Sequence, residues 1–219
     1  MNRPLFHLDT IENALTQFRE SFPSINEQIQ IKREHITPVM VGQILEAYDF
    51  LNSLLGKNVD LFTPAGLHSL LEMNHIVLCG SNAEKRMEYY QHLQATRAQF
   101  LKRIKPIRLW VESHRKTADP RVLATGFYSR NLSQPQLFLE GNHRTGNILF
   151  NYLMVSQGAP PFIITPQTAV DYLDISGEMK FTDKEKTFEH GLKMPGHRKR
   201  FVTFLSQHAS ADFLQESGA

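Results

Sequence analysis

The chain has 219 residues, 41% of them apolar and 21% charged, with a formal net charge of +2. That length and apolar content can bury a sizeable core, read here as one domain over 1–219 with a helical extension over about 1–37. The small net charge gives no case for nucleic acid or an anionic membrane surface, the single cysteine excludes an internal disulfide, and no apolar run approaches the length of a membrane-spanning helix. Cys79 sits among apolar residues and reads as a small core side chain. Met1-Asn2-Arg3-Pro4 lacks the apolar stretch of a secretion signal, so the expectation is a cytoplasmic protein, with signal-independent export left open.

In chain order the pattern is mainly helical. Asp9 or Thr10 can cap a helix with Ile11, Leu15 and Phe18 on one face, and Pro23-Ser24 is expected to break it, with Ser24 capping a short successor. Pro38 suits the first turn of the next helix, where Val41, Ile44, Leu45, Tyr48, Leu51, Leu54 and Leu55 keep three-and-four spacing up to a stop at Gly56. Thr63-Pro64 reads as a further start, followed by Leu67, Leu70, Leu71, Asn74 and Leu78 on one face. His68 and His75 share a face, but no third ligand lies at metal-binding spacing, so both read as structural. Gly80-Ser81-Asn82 closes that helix and caps the next.

Residues 83–118 predict one long helix or two in line, kinked or broken at Pro106, with Glu112 to Thr117 as a solvated polar end. Val122 to Tyr128 is short, β-prone and interrupted by Gly126, which predicts a small hairpin. Later, Ala169 to Leu173 predicts a helix and Asp183 to Leu192 another that ends near Gly191. His197-Arg198-Lys199-Arg200 predicts a basic, solvated start to a last helix carrying Phe201, Phe204 and Leu205; cations there oppose the helix dipole.

The segment Phe138-Leu139-Glu140-Gly141-Asn142-His143-Arg144-Thr145-Gly146-Asn147 carries the chemistry. It runs into the uncharged apolar stretch Ile148 to Val155, which reads as a buried helix. A Gly-Asn pair adopts backbone angles closed to bulkier residues. At a helix start it aims free N–H groups and the positive end of the dipole outward, which is a ready anion site. Arg144 adds a planar donor fork suited to phosphate. Glu140 supplies a carboxylate that can hold a divalent metal bridging phosphate oxygens.

Phe138-x-Glu140-Gly141-Asn142-x-Arg144-Thr145-Gly146, an apolar helix and then Gly158-Ala159-Pro160-Pro161 closely resemble the motif of the Fic/Doc (Fido-fold) family. That motif reads H-x-F-x-[DE]-G-N-G-R-x-x-R, often with a G-x-P-P element one helix later. The likeness is confined to the motif region, about 121–161. It implies a mainly α, Fido-type helical bundle with a β-hairpin flap around 122–128. Such a flap aligns an extended segment of a target protein by strand addition. The resemblance further implies ATP or another nucleotide bound with Mg²⁺, with Glu140 on the metal. Gly141, Asn142, His143, Arg144, Thr145, Gly146 and Asn147 would surround the phosphates. The reaction implied is transfer of AMP, or a related phosphate-linked moiety, onto a protein hydroxyl.

Three positions depart from the family pattern. The catalytic histidine falls on Gln136, the second glycine on His143 and the second arginine on Asn147. A glutamine amide has no usable basicity near neutral pH, and a lost general base typically costs about 10²–10⁴-fold in rate. Two readings follow: a divergent Fic-type transferase, and a degenerate Fido-fold module that binds a nucleotide or a protein segment without turnover.

Overall fold

A computed structural model describes residues 3–116 and 118–215 of the chain. Met1, Asn2 and Thr117, all named above, lie outside the described residues. The elements are α1 (Leu8–Gln28), α2 (Pro38–Gly56), α3 (Leu67–Cys79), α4 (Ala83–Glu88), α5 (Tyr90–His114), α6 (Pro120–Leu132), α7 (Asn142–Val155), α8 (Ala169–Lys180) and α9 (Thr187–His208), with a 3-10 turn over Ala211–Phe213. The mainly α class read from the sequence holds. Among the described residues, β pairing is limited to two isolated bridges, Phe6 with Leu214 and Gln134 with Asp183.

The expected hairpin at 122–128 is overturned, and with it the strand-addition flap. These residues lie inside α6, so their main-chain groups belong to a helix. Asp119 accepts a hydrogen bond from the Arg121 N–H and Pro120 occupies the first turn, which together start a helix. Leu123, Ala124, Phe127 and Tyr128 are all fully buried against the core. Gly126, which looked like an interruption of a strand, is instead where α5 meets α6. A Cβ there would stand 2.0 Å from Cη2 of Trp110.

The expected break at Pro23 is also absent, because α1 runs through it. An interior proline costs about 3 kcal/mol. Phe22 and Ile25 flank it and are buried, and burying each contributes about 1.5–3 kcal/mol. The N-cap of α1 is His7, whose ring accepts from the Thr10 N–H, rather than Asp9 or Thr10. Pro106 is carried inside α5 in the same way, with Ile104, Ile107 and Val111 buried around it. Pro38 and Gly56 open and close α2 as expected, and Asn82 caps α4.

The two helices expected over 183–205 are one. Gly191 and Pro195 lie inside α9, held by buried Met194, Phe201, Phe204 and Leu205. The basic cluster therefore sits mid-helix, where it does not oppose the dipole. His197 Nδ1 lies 2.8 Å from Glu178 Oε2, Arg200 pairs with the same carboxylate, and Arg198 Nε donates to Ser129 Oγ at 2.8 Å. His197 and Arg198 tie α9 to α8 and α6, while Lys199 and Arg200 keep the exposed, solvated character expected of the run.

At the centre stands α7, with Ile148 to Val155 buried without exception. It packs on α2, α3 and most extensively α6. Gly146 permits the α6 contact, since a Cβ there would meet Asn131 Nδ2 at 2.5 Å and the Tyr128 ring at 2.9 Å. Aromatic side chains of α6 to α9 (Tyr128, Phe150, Phe162, Tyr172, Phe201, Phe204) pack in mutual contact behind it.

Candidate functional site

The first turn of α7 forms the floor of a cavity of about 550 Å³, within the range of small-molecule sites. Gly141 takes φ +73°, ψ +8° as the N-cap, and no side chain caps the helix. The Thr145 N–H makes the first helical bond, to the Gly141 carbonyl, at 2.9 Å. The N–H groups of Asn142, His143 and Arg144 precede that bond and have no intrahelical acceptor. All three residues line the cavity.

Polar side chains from four helices hold the loop before this turn. The Asn142 amide closes on one residue, accepting from the Phe138 N–H and donating to the Phe138 carbonyl, each at 2.9 Å. Asn131 Nδ2 donates to the Asn142 carbonyl at 2.8 Å. Asn74 Nδ2 donates to the Glu140 carbonyl at 3.1 Å and to Thr145 Oγ1 at 3.0 Å. Gln99 and Arg103 of α5 both donate to the Gln136 carbonyl, at 3.1 and 3.0 Å, and Phe138 stacks on Phe100. Each bond to a buried carbonyl also spares it the cost of an unmade one.

The structure brings together all nine residues expected at the site, but not all in the expected roles. Gly141, Asn142, His143, Arg144 and Asn147 line the cavity along with Gln136 and Glu140, while Thr145 and Gly146 are buried behind it. Arg144 donates from Nη1 to the Val77 carbonyl at 3.0 Å, anchoring α7 to the end of α3. Burial lowers its pKa, and Glu140 and Glu34 partly offset this. Glu140 is more than half exposed, with Oε2 3.5 Å from His92 Nε2. Among the described residues no three His, Cys, Asp or Glu side chains are grouped to hold a metal. Mg²⁺ accepts one carboxylate when phosphate oxygens and water complete its shell, so Glu140 fits such an ion only with a phosphate present.

His143 is tied into the cavity wall. Its Nε2 lies 3.3 Å from Arg33 Nη1 and its Nδ1 3.4 Å from the Tyr128 hydroxyl. A guanidinium only donates, so the network assigns Nε2 as acceptor and puts the imidazole proton on Nδ1. Burial, then Arg33 and Lys180, holds its pKa well below the usual imidazole value.

Sequence reasoning missed several cavity residues. Arg33 lies between α1 and α2, and Lys180 ends α8; both line the cavity, and nothing in their local sequence marks them. The tyrosines Tyr48 and Tyr172 sit on apolar stripes and read simply as core. Outside the cavity lining, Asn74, which holds the loop, carries the clearest signal, a polar residue on an otherwise apolar helix face. Two buried nitrogens on the cavity wall, Arg33 Nε and Gln136 Nε2, have no hydrogen-bond partner among the described residues. The wall toward α1 and α2 is apolar, with Leu15, Phe18, Phe22, Met40, Val41 and Ile44.

No family model, no curated protein and no solved structure matches this chain.

Proposed function

We propose that the chain binds a nucleotide by its phosphates at the first turn of α7, as a Fido-type helical protein related to Fic transferases. It holds the nucleotide without passing AMP or a related moiety to a protein hydroxyl. The observation that carries this reading is the uncapped start of α7. It opens through the left-handed Gly141 on a cavity lined by Arg33, Arg144 and Lys180 together with Glu34 and Glu140. Two or three charge-assisted hydrogen bonds contribute about 1.5–3 kcal/mol each, and nucleoside burial must add to them to offset the cost of association. The apolar wall toward α1 and α2 suits a nucleoside. Mg²⁺, when bound, would be held by Glu140 together with phosphate oxygens and would neutralise phosphate charge.

The absence of a usable base argues against turnover. Gln136 presents an amide. The one basic lone pair of His143 is directed at the Arg33 guanidinium, so it is not placed to take a proton from an incoming hydroxyl. With residues 122–128 in a helix, a protein target has no flap strand to pair with.

Calorimetric titration with ATP, ADP and pyrophosphate, each with and without Mg²⁺, tests the binding claim. Transfer of label from ATP onto protein tests the claim of no turnover. The expected result is saturable binding, no label from the wild type, and label from Gln136→His. Absence of heat with every probe overturns the reading, and label transfer by the wild type replaces it with the transferase reading.

A further inference from the structure

Arg103 of α5, Arg130 of α6, Lys184 between α8 and α9, and Arg198 of α9 meet around the end of α6. Lys184 Nζ donates to the Arg130 carbonyl at 2.9 Å, and Arg198 Nε donates to the hydroxyl of the adjacent Ser129 at 2.8 Å. Arg130 Nη1 donates to the Gly126 carbonyl at 2.9 Å, with its guanidinium over the Trp110 ring. Arg103 Nη1 donates to the Gln136 carbonyl at 3.0 Å, in a loop whose Gln134 shares main-chain bonds with Thr182 and Lys184. All four cations are half-buried. Each is held by a bond to a neutral acceptor, and none forms an ion pair among the described residues. Burial, then Arg103 and Arg130, lowers the Lys184 pKa to about 8, a shift that Glu185 and Asp183 only partly offset. Burial, then Arg198, lowers that of Arg130 to about 9. His190 of α9 is lowered by burial and by Arg198, Arg130 and Lys184. The C-terminus of α6 carries about half a negative charge, which accounts for one of these cations and not for four.

From this unpaired group we infer that the seam of α5, α6 and α9 is an anion site for a phosphate-type oxyanion, either free phosphate or the phosphoryl group of a modified side chain. A guanidinium has five N–H donors and an ammonium three, so every one of these side chains keeps donors beyond its anchoring bond. Those anchors hold the cations in place before any ligand arrives, which lowers the ordering cost of binding. A phosphoryl group brings close to two negative charges and three acceptor oxygens, a better match to the cluster than a single carboxylate. None of the four cations lines the α7 cavity, and the inference does not rest on the nucleotide reading.

Trp110 is a built-in reporter. It is the chain's single tryptophan, and the Arg130 guanidinium carbon lies 3.8 Å from its ring centre. The test follows its emission while inorganic phosphate or O-phosphoserine is titrated into the full chain, with sodium chloride at matched ionic strength as the screening control. The expected result is a saturable change with a phosphate probe and none with chloride. Lys184→Gln and Arg198→Gln should each weaken that binding by about tenfold or more, the loss of a bond to a charged group. Far-UV dichroism establishes that the variants are folded, and either one suffices. Arg144→Met, at the α7 cavity, should leave the response unchanged. Tighter binding of O-phosphoserine points to a phosphorylated side chain as the source, and tighter binding of phosphate to the free ion. A response that chloride reproduces, that persists undiminished in both Lys184→Gln and Arg198→Gln, or that disappears in Arg144→Met overturns the inference. So does the absence of a response to either probe.

Discussion

Arg33 Nη1 lies 3.3 Å from His143 Nε2, so a permanently charged guanidinium presses on an imidazole seated at the positive end of α7. Both neighbours disfavour a second positive charge, and burial, the largest effect, disfavours it further. The folded protein keeps His143 neutral to a pH well below the unfolded value of about 6.5. Above that value both states are neutral at this site, and it adds no pH dependence. As pH falls below about 6.5 the unfolded chain takes up a proton that the folded chain refuses, so stability drops until the folded pKa is reached. His143→Gln keeps an acceptor for Arg33 and a donor for Tyr128 but removes the titration. Urea unfolding from pH 7 to 5 should fall more steeply in the wild type, by up to about 1.4 kcal/mol per pH unit. His75 and His190 are also lowered by burial, so the difference between the two proteins is the measure. Equal slopes would mean that His143 protonates freely in the folded state.

The same residue shows where sequence reading stopped. The polar loop, the glycine turn and the apolar helix after it were legible because they are consecutive, and their chemistry follows from spacing along one strand of text. The role of His143 was not, because Arg33 and Tyr128 lie 110 and 15 residues away. The helices were legible wherever an apolar stripe and a cap coincided, as in α2 between Thr37 and Gly56. Pro23 was read as a break and Pro106 as a kink or break. Buried residues on both sides of each outweighed the local cost, and that depends on the partner helix. Residues 122–128 failed for a related reason. β-prone residues and a glycine describe a strand locally, yet Trp110 lies on the glycine and the aromatic core lies under Phe127 and Tyr128.

Gly126 offers a direct check on that correction. An added Cβ meets the Trp110 ring at 2.0 Å. The ring is held by Arg130, whose guanidinium carbon lies 3.8 Å from the ring centre, and by His114 stacked at 4.4 Å. Gly126→Ala should therefore destabilise by about 1–3 kcal/mol as overpacking, despite the better helix propensity of alanine. Trp110→Leu should relieve the clash and give a favourable coupling in a double-mutant cycle. Stabilisation by Gly126→Ala alone would mean that α5 and α6 do not approach as described.

Gly141 and Gly158 separate strain from crowding. Both have positive φ, +73° and +78°, but a Cβ on Gly141 meets Asn74 Nδ2 at 3.1 Å and Leu78 at 3.3 Å, whereas one on Gly158 meets nothing within 4 Å. Gly158→Ala should cost about 1–2 kcal/mol, the strain of left-handed backbone. Gly141→Ala should cost more, because Asn74 must give up its bonds to the Glu140 carbonyl and Thr145 or move with them. Nucleotide affinity should fall only for the Gly141 variant, since the cavity floor tilts with the cap. Equal unfolding free energies for the two would remove Asn74 from the account of the loop.

Glu140 isolates the metal-dependent share of binding. It lines the cavity, is largely exposed, and faces His92 rather than a second carboxylate. Without Mg²⁺ it repels phosphate, and with Mg²⁺ it is the one residue of the motif loop suited to share the ion. Exposure keeps both effects modest, on the order of 1 kcal/mol. Glu140→Ala should therefore bind ATP a few-fold more tightly than the wild type in chelator and a few-fold more weakly in Mg²⁺, so the two titration series cross. Arg144→Met, which removes a cation and the anchor to the Val77 carbonyl, should weaken binding in both conditions without a crossing. Parallel series for Glu140→Ala would show that its carboxylate takes no part in holding the ion.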